Sequence, residues 1–201
     1  MARWGRRVTS VHGSWRRVVA IIGSGGAIDA QLRATSLEVG RLAIDAGFRV
    51  VTGGLGGVMG AASEGARSSA AWRDGDVVGV IPSYDRSTAN PHVDVVVPTG
   101  LQLGRNVIVV AMSDVVIAIG GGAGTLSELA LAWQLGKPIV ALGTAGGWAA
   151  RLAGQAIDHR HAGVMHDEAT PSAAVRRAQE LVELARVEPG DIGSGWRRLD
   201  P

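Results

Sequence analysis

The stretch Asp114-Val-Val-Ile-Ala-Ile-Gly-Gly-Gly-Ala-Gly-Thr-Leu-Ser-Glu128 decides how this chain folds. Val115 to Ile119 is an uninterrupted apolar run, mostly β-branched, which predicts a parallel strand buried on both faces. It stops in three glycines and gives way to helix-forming residues from Gly124 to Gly136. Strand, glycine turn and helix start, in that order, aim backbone N–H groups at the positive end of a helix, where an anion of phosphate size is stabilised. Glu128 falls about one turn into this helix, where the dipole favours a carboxylate by roughly 0.3–1 kcal/mol.

The same unit recurs to either side. Val18 to Ile22 reads as a first strand, followed by Gly23-Ser-Gly-Gly26 and a helix from Asp29 to Ala46, with Asp29 as N-cap and Gly47 closing its C-terminus. Phe48 to Thr52 is a second strand, closed by Gly53-Gly-Leu-Gly-Gly-Val-Met-Gly60 and a small-residue helix through Ala71. Asp76 to Ile81 is a third, followed by a polar loop from Pro82 to Pro91, and Val93 to Val97 a fourth. Periodicity does not separate strand from helix over Leu101 to Ser113. Helix is expected, because consecutive parallel strands need a crossover of about a dozen residues. Being apolar all round, it should be buried on two sides, which points to a subunit interface. Pro138 to Leu142 supplies a further strand, Gly143 to Gly147 a glycine turn and Val164 to His166 a short edge strand. Thr170-Pro171 opens a last helix to Arg186, with Thr as N-cap and Pro at the first helical position. This alternation predicts an α/β domain with helices on both faces of a mostly parallel sheet of six or seven strands, and a ligand at the carboxyl ends of the strands.

Composition sets the outer bounds. Two hundred and one residues, 46% hydrophobic and 19% charged, make one globular domain, expected over residues 18–187. Residues 1–17 form a basic arm (Arg3, Arg6, Arg7, Arg16, Arg17) expected to be disordered and solvated rather than bound to nucleic acid, and residues 188–201 a loose tail. No apolar run is long enough for a membrane span, and cysteine is absent, so a cytoplasmic location without disulfides is expected.

Several nucleotide chemistries do not match. A dinucleotide fingerprint starting at Gly23 needs glycine where Ile28 stands, and no acid follows the second strand to hold a ribose. Lys137 precedes Pro138, not the Ser or Thr of a triphosphate loop, and there is no Gly-x-Ser-x-Gly elbow. Asp158-His-Arg-His161 reads as solvated surface before it reads as a metal site. What remains is a phosphate cradle built from three turns: Gly23, Ser24 and Gly25; Gly53, Gly54, Gly56 and Gly57; and Gly121, Gly122, Ala123, Gly124 and Thr125. Any one turn is compatible with fold punctuation; three on one sheet edge beside Arg105 and Glu128 point to a site, with Arg105 placed to clamp a phosphate or carboxylate.

Two segments resemble a known family. Gly120-Gly-Gly-Ala-Gly-Thr-Leu-Ser-Glu128 is similar to the Pro-Gly-Gly-x-Gly-Thr-x-x-Glu signature of the LONELY GUY (lysine decarboxylase-like) superfamily, and Gly53 to Gly60 to its Gly-Gly-x-x-Gly-x-Met-Gly segment. The Gly104-Arg105-Asn106 and Gly136-Lys137-Pro138 segments agree too, so the likeness spans residues 18 to 142. It implies a Rossmann-like three-layer αβα fold and a phosphoribohydrolase that cleaves the N-glycosidic bond of cytokinin nucleoside 5′-monophosphates. Arg105 and Glu128 fall at the catalytic positions, with Met59 and Asn106 beside the ligand. In that reading the glycine amides hold the 5′-phosphate, Glu128 steadies an oxocarbenium-like ribose or aligns water, and Arg105 positions the substrate. The chain departs at Gly120 (proline in the signature), Asn106 (lysine) and Ser127 (glutamate). These departures resemble a side branch that includes molybdenum cofactor carrier proteins, which implies an oligomeric (dimeric or tetrameric) binding or carrier protein for a phosphorylated pterin or nucleotide. No cofactor is required in either case, and the bound ligand expected is AMP-like, phosphate or molybdenum cofactor.

Overall fold

The computed structural model describes residues 15–159 and 163–187, with side chains to residue 184. Seven strands form one sheet: β1 (Val18–Gly23), β2 (Arg49–Thr52), β3 (Val77–Ile81), β4 (Val95–Pro98), β5 (Val115–Ile119), β6 (Ile139–Leu142) and β7 (His166–Glu168). Their order is β4-β3-β2-β1-β5-β6-β7, and every pairing is parallel. The helices are α1 (Ala30–Asp45), α2 (Gly57–Ser68), α3 (Arg105–Ala111), α4 (Ala123–Gln134), α5 (Gly147–Leu152) and α6 (Pro171–Val187). The fold is a three-layer, Rossmann-like α/β sandwich, as the alternation predicts.

Because strand side chains alternate, the sheet feeds two cores. Val19, Ile21, Val50, Ile117 and Ile119 pack under α1, α2 and α6. Ala20, Ile22, Val51, Val116 and Ala118 pack under α3, α4 and α5 with Leu129 and Trp133. β5 is fully buried along its length, which accounts for the absence of polar alternation in Val115 to Ile119. On the first face α1 and α2 touch backbone to backbone. A methyl at Gly40 would run into the Ala62 carbonyl, and one at Gly65 into the Leu37 carbonyl.

The chain builds β1 to β4 outward in one direction, then returns to lay β5 against the other side of β1. That reversal opens a crevice beyond the carboxyl ends of β1 and β5, where ligands bind in open parallel sheets. Register pairs Gly23 with Ile119, so the first glycine turn and the central one leave the sheet side by side. At the amino ends the arrangement differs. Asp76, Asp94 and Asp114 each stand one residue before a strand. Asp114 accepts the Val18 N–H at 2.8 Å and pairs with Arg17 at 3.0 Å. Asp76 accepts the Arg73 N–H at 3.0 Å and pairs with Arg16. Asp94 accepts from Trp72 Nε1 and the Val77 N–H at 3.0 and 2.9 Å, with Arg67 3.2 Å from its other oxygen.

Several boundaries differ from the sequence reading. Phe48 and Val93 lie just before their strands. Phe48 is a core residue, and the Val93 N–H closes a turn on Asn90. β7 starts at His166, because its register on β6 begins at Val140. The turn after β6 leads into α5, whose Gly-Gly-Trp start carries no capping signature. Leu101 to Ser113 holds a 3-10 turn (Gln102–Gly104) and then α3, so it is helical as the crossover argument requires, but only one side of α3 is covered by the described residues. Val109 and Val110 are buried while Val107 and Met112 stay 46% and 40% exposed. Arg16 and Arg17, grouped by sequence with the basic arm, are tied to the sheet. Arg3, Arg6, Arg7, His161 and the tail lie outside the described residues. No helix of the described residues is long and apolar enough to cross a membrane.

Candidate functional site

Three glycine turns at the carboxyl edge have different jobs. In the first, Gly23 is wedged between the Ile119 carbonyl and Val58, and the Ser24 carbonyl accepts the Val58 N–H at 2.9 Å. Gly25 and Gly26 are exposed, with only Met59 Cε near Gly25. In the second, Gly57 has φ +63° and lies so close to the Ser24 carbonyl that no side chain fits. Gly54, at φ +70°, packs on Gly79 and Ile81, and Gly56 caps α2 without a side chain. Gly53 is the seat of Arg105, whose guanidinium lies where a Cβ would be, beside Met59 Sδ. In the third turn Gly121, at φ +97°, is covered by the buried Thr125 side chain, and its carbonyl accepts the Trp148 N–H of α5 at 3.0 Å. Gly122, Ala123 and Gly124 form an exposed rim at the start of α4, which has no side-chain cap. Gly23, Gly54, Gly57, Gly121 and Thr125 therefore shape the edge, and Gly25, Gly122, Ala123 and Gly124 present it.

Beneath this rim sits a buried polar cluster. Arg105, the first residue of α3, is 9% exposed, and Glu128 on α4 is 6% exposed. Arg105 Nη1 donates to Glu128 Oε1 at 3.2 Å and to Asn106 Oδ1 at 2.6 Å. Asn106 Nδ2 donates to Ser127 Oγ at 2.8 Å, and Ser127 Oγ donates to the Gly124 carbonyl at 2.7 Å. The cluster thus runs from the rim of α4 back to the acid. Arg105 Nε is buried with no hydrogen-bond partner.

Burial pushes the Glu128 carboxyl up to about 7 from its ordinary 4.5, against the downward pull of the Arg105 charge and hydrogen bond. Near neutral pH this side chain exchanges a proton, and the net charge of the pair with it.

The sequence joined Arg105, Asn106, Met59, Gly53 and Glu128 from motif positions, and the fold brings these five together. It did not assign Ser127 a role. The signal was its spacing three residues after Gly124, which suits a serine bonding back to its own helix. Asn106 and Ser127, both departures from the family signature, touch each other, so they change one contact, not two. Asp158 accepts the Trp133 indole N–H at 2.8 Å, and no three metal-ligating side chains among the described residues are grouped to hold an ion.

Residues 16–179 match the model of the SLOG cluster4 family, LDcluster4. Over 140 residues, 65% of this chain and 71% of the other, the sequence is 35% identical to cytokinin riboside 5′-monophosphate phosphoribohydrolase of Mycobacterium tuberculosis. The solved structure of TM1055 superposes with a TM-score of 0.74 at 33% identity, covering 82% of this chain and 99% of that one. The molybdenum cofactor binding protein of Rippkaea orientalis superposes with a TM-score of 0.72 at 28% identity, covering 84% and 98%.

Proposed function

The chain belongs to the SLOG cluster4 family, and from that premise we propose that it binds a small phosphorylated, nucleotide-like ligand at the carboxyl edge of its sheet. The ligand is a pterin phosphate such as molybdenum cofactor, or a nucleoside 5′-monophosphate. The observation that carries this reading is Arg105 Nε, a buried donor without an acceptor that, unlike the equally unpartnered Arg17 Nε at the amino edge, belongs to a cluster bonded to the uncapped start of α4. Such a group costs about 1–3 kcal/mol, and a ligand oxygen would relieve it. The phosphate fits the rim of α4, where the first N–H groups of the helix have no intrahelical acceptor. Asn106 and Ser127 hold Arg105 and the rim in fixed relation. The solved relative from Rippkaea orientalis is by name a molybdenum cofactor binding protein, which agrees with a binding role.

Thermal unfolding tests this. Inorganic phosphate, nucleoside monophosphates and pterin phosphates should raise the melting temperature, by the equivalent of about 2.7 kcal/mol at a hundred times Kd. Arg105→Ala should remove the effect, and no shift with any of them overturns the reading.

A second reading, phosphoribohydrolase, is favoured by Glu128 itself. A carboxyl poised at about 7 is suited to general acid–base work at neutral pH. As carboxylate it would align a water on ribose C1′ and take its proton as the C–N bond breaks, the base leaving with a proton from solvent. Against this stands the 6% exposure of Glu128, which leaves little room for water. Free base released from nucleoside monophosphates, and lost in Glu128→Gln, identifies the hydrolase. Binding without release identifies the carrier.

The protein is proposed to act as a homo-oligomer, because Leu103, Val107 and Met112 expose apolar surface along the α3 segment. Light scattering should give a dimer or tetramer, and Val107→Asp should dissociate it.

A further inference from the structure

Next to the first glycine turn lies a groove of about 350 Å³ between α1, α2 and the Asn90–His92 segment. That volume suits a small-molecule site. Its floor is one face of α2, where Gly57, Gly60 and Ala61 follow helical spacing and offer a surface nearly free of side chains. Above it Gly26 faces open space. One turn further along α2 stands Glu64. Arg33 Nη2 donates to Glu64 Oε2 at 2.5 Å, and His92 Nε2 lies 3.9 Å from the same oxygen. Glu64 Oε1 has no hydrogen-bond partner among the described residues.

The far wall is preformed. The Asn90 N–H donates to the Gly54 carbonyl at 2.9 Å, its Nδ2 donates to the Leu55 carbonyl at 3.1 Å, and its Oδ1 accepts the His92 N–H at 3.1 Å. The Arg33 and Glu64 side chains are 48% and 37% exposed. An ion pair so open to water is held weakly, so a ligand can share it at small cost.

Resting on the binding function above, we propose that this groove is the ring subsite of the ligand and that it selects a 2-amino-4-oxopyrimidine edge, which guanine and pterins share. That edge presents a carbonyl acceptor, a ring N–H and an amino group in a row. Glu64 accepts the two donors and Arg33 donates to the carbonyl, while the planar ring lies on the glycine floor. Adenine offers an amino group beside an unprotonated ring nitrogen, and so sets a lone pair against the carboxylate. Hypoxanthine keeps the carbonyl and N–H but lacks the amino donor. Rejection therefore comes from a hydrogen bond not made, and it is modest because Glu64 stays open to water.

Titration calorimetry on the full chain with inorganic phosphate, GMP, IMP, AMP and a pterin phosphate tests this. GMP and the pterin should each bind about tenfold more tightly than IMP and AMP, the worth of one hydrogen bond to a charged group. Whichever of the two binds more tightly identifies the source of the edge. In Glu64→Gln, whose amide pairs with adenine instead, the preference for GMP over AMP should vanish, with phosphate affinity unchanged. Phosphate binding with equal GMP and AMP affinities overturns the ring subsite alone, as does a GMP preference that survives Glu64→Gln. If neither phosphate nor any of these ligands binds, the binding function falls first.

Discussion

The two edges of the sheet meet the same problem, polar backbone at strand ends, with opposite residues. At the amino edge an aspartate precedes β3, β4 and β5, and each accepts a backbone N–H and pairs with a neighbouring arginine, with Asp94 Oδ1 and Arg17 Nε left without a hydrogen bond. At the carboxyl edge glycines follow β1, β2 and β5, the rim of α4 is uncapped, and Arg105 Nε has no acceptor. One edge is tied down by aspartate–arginine pairs and the other ends in exposed glycines and an uncapped helix. An unpartnered buried nitrogen does not separate the two edges, since Arg17 Nε lacks an acceptor as Arg105 Nε does; what sets the carboxyl edge apart is that its unpartnered donor belongs to a cluster bonded to the exposed, uncapped start of α4.

The largest test of this contrast is Asp94→Ala. It strands the Trp72 indole and the Val77 N–H and should cost about 2–4 kcal/mol in denaturant unfolding, while ligand affinity of the folded protein stays unchanged. Loss of affinity with little loss of stability would reverse the assignment of the two edges.

Next comes pH. Glu128 is raised from 4.5 to about 7, so between those values the folded state holds a proton that the unfolded state has released. Stability should therefore be greatest at low pH and decline as pH rises through about 7, by up to about 3 kcal/mol, and Glu128→Gln should flatten the profile. Sulfate, whose charge is constant over this range, should bind less tightly above pH 7 than below it, because ionised Glu128 then repels it and holds Arg105.

Gly53→Ala is a smaller change with a sharper readout. The added methyl meets the flexible end of Arg105, so stability should fall by only about 1 kcal/mol, whereas phosphate affinity should drop at least tenfold. Smallest is Arg17→Ala. Its pair with Asp114 has both side chains 33% exposed and should be worth under about 1 kcal/mol, with no effect on ligand.

The carboxyl edge was the more legible of the two in sequence. Glycine clusters after apolar runs have few alternative explanations, and motif spacing joined Gly53, Arg105 and Glu128 across seventy-six positions. The amino edge was opaque, because an aspartate before a strand looks like any turn residue. Arg16 and Arg17 sit among other arginines, and nothing local says which have partners. α5 was missed for a similar reason: its start is anchored by the Gly120 and Gly121 carbonyls, a tertiary support that no helix signal records. For α3, composition foretold apolar surface on more than one side, but the described residues cover only one of them.

The contact between α1 and α2 reaches further than packing. With Gly40 against the Ala62 carbonyl and Gly65 against the Leu37 carbonyl, and Val58 bonded to Ser24, the two helices and the first two turns are packed backbone to backbone. If the proposed ligand binds here, it should meet a ready-made surface without waiting for closure. Association should run at an ordinary diffusive rate, and the differences between one ligand and another should appear almost wholly in how long each stays.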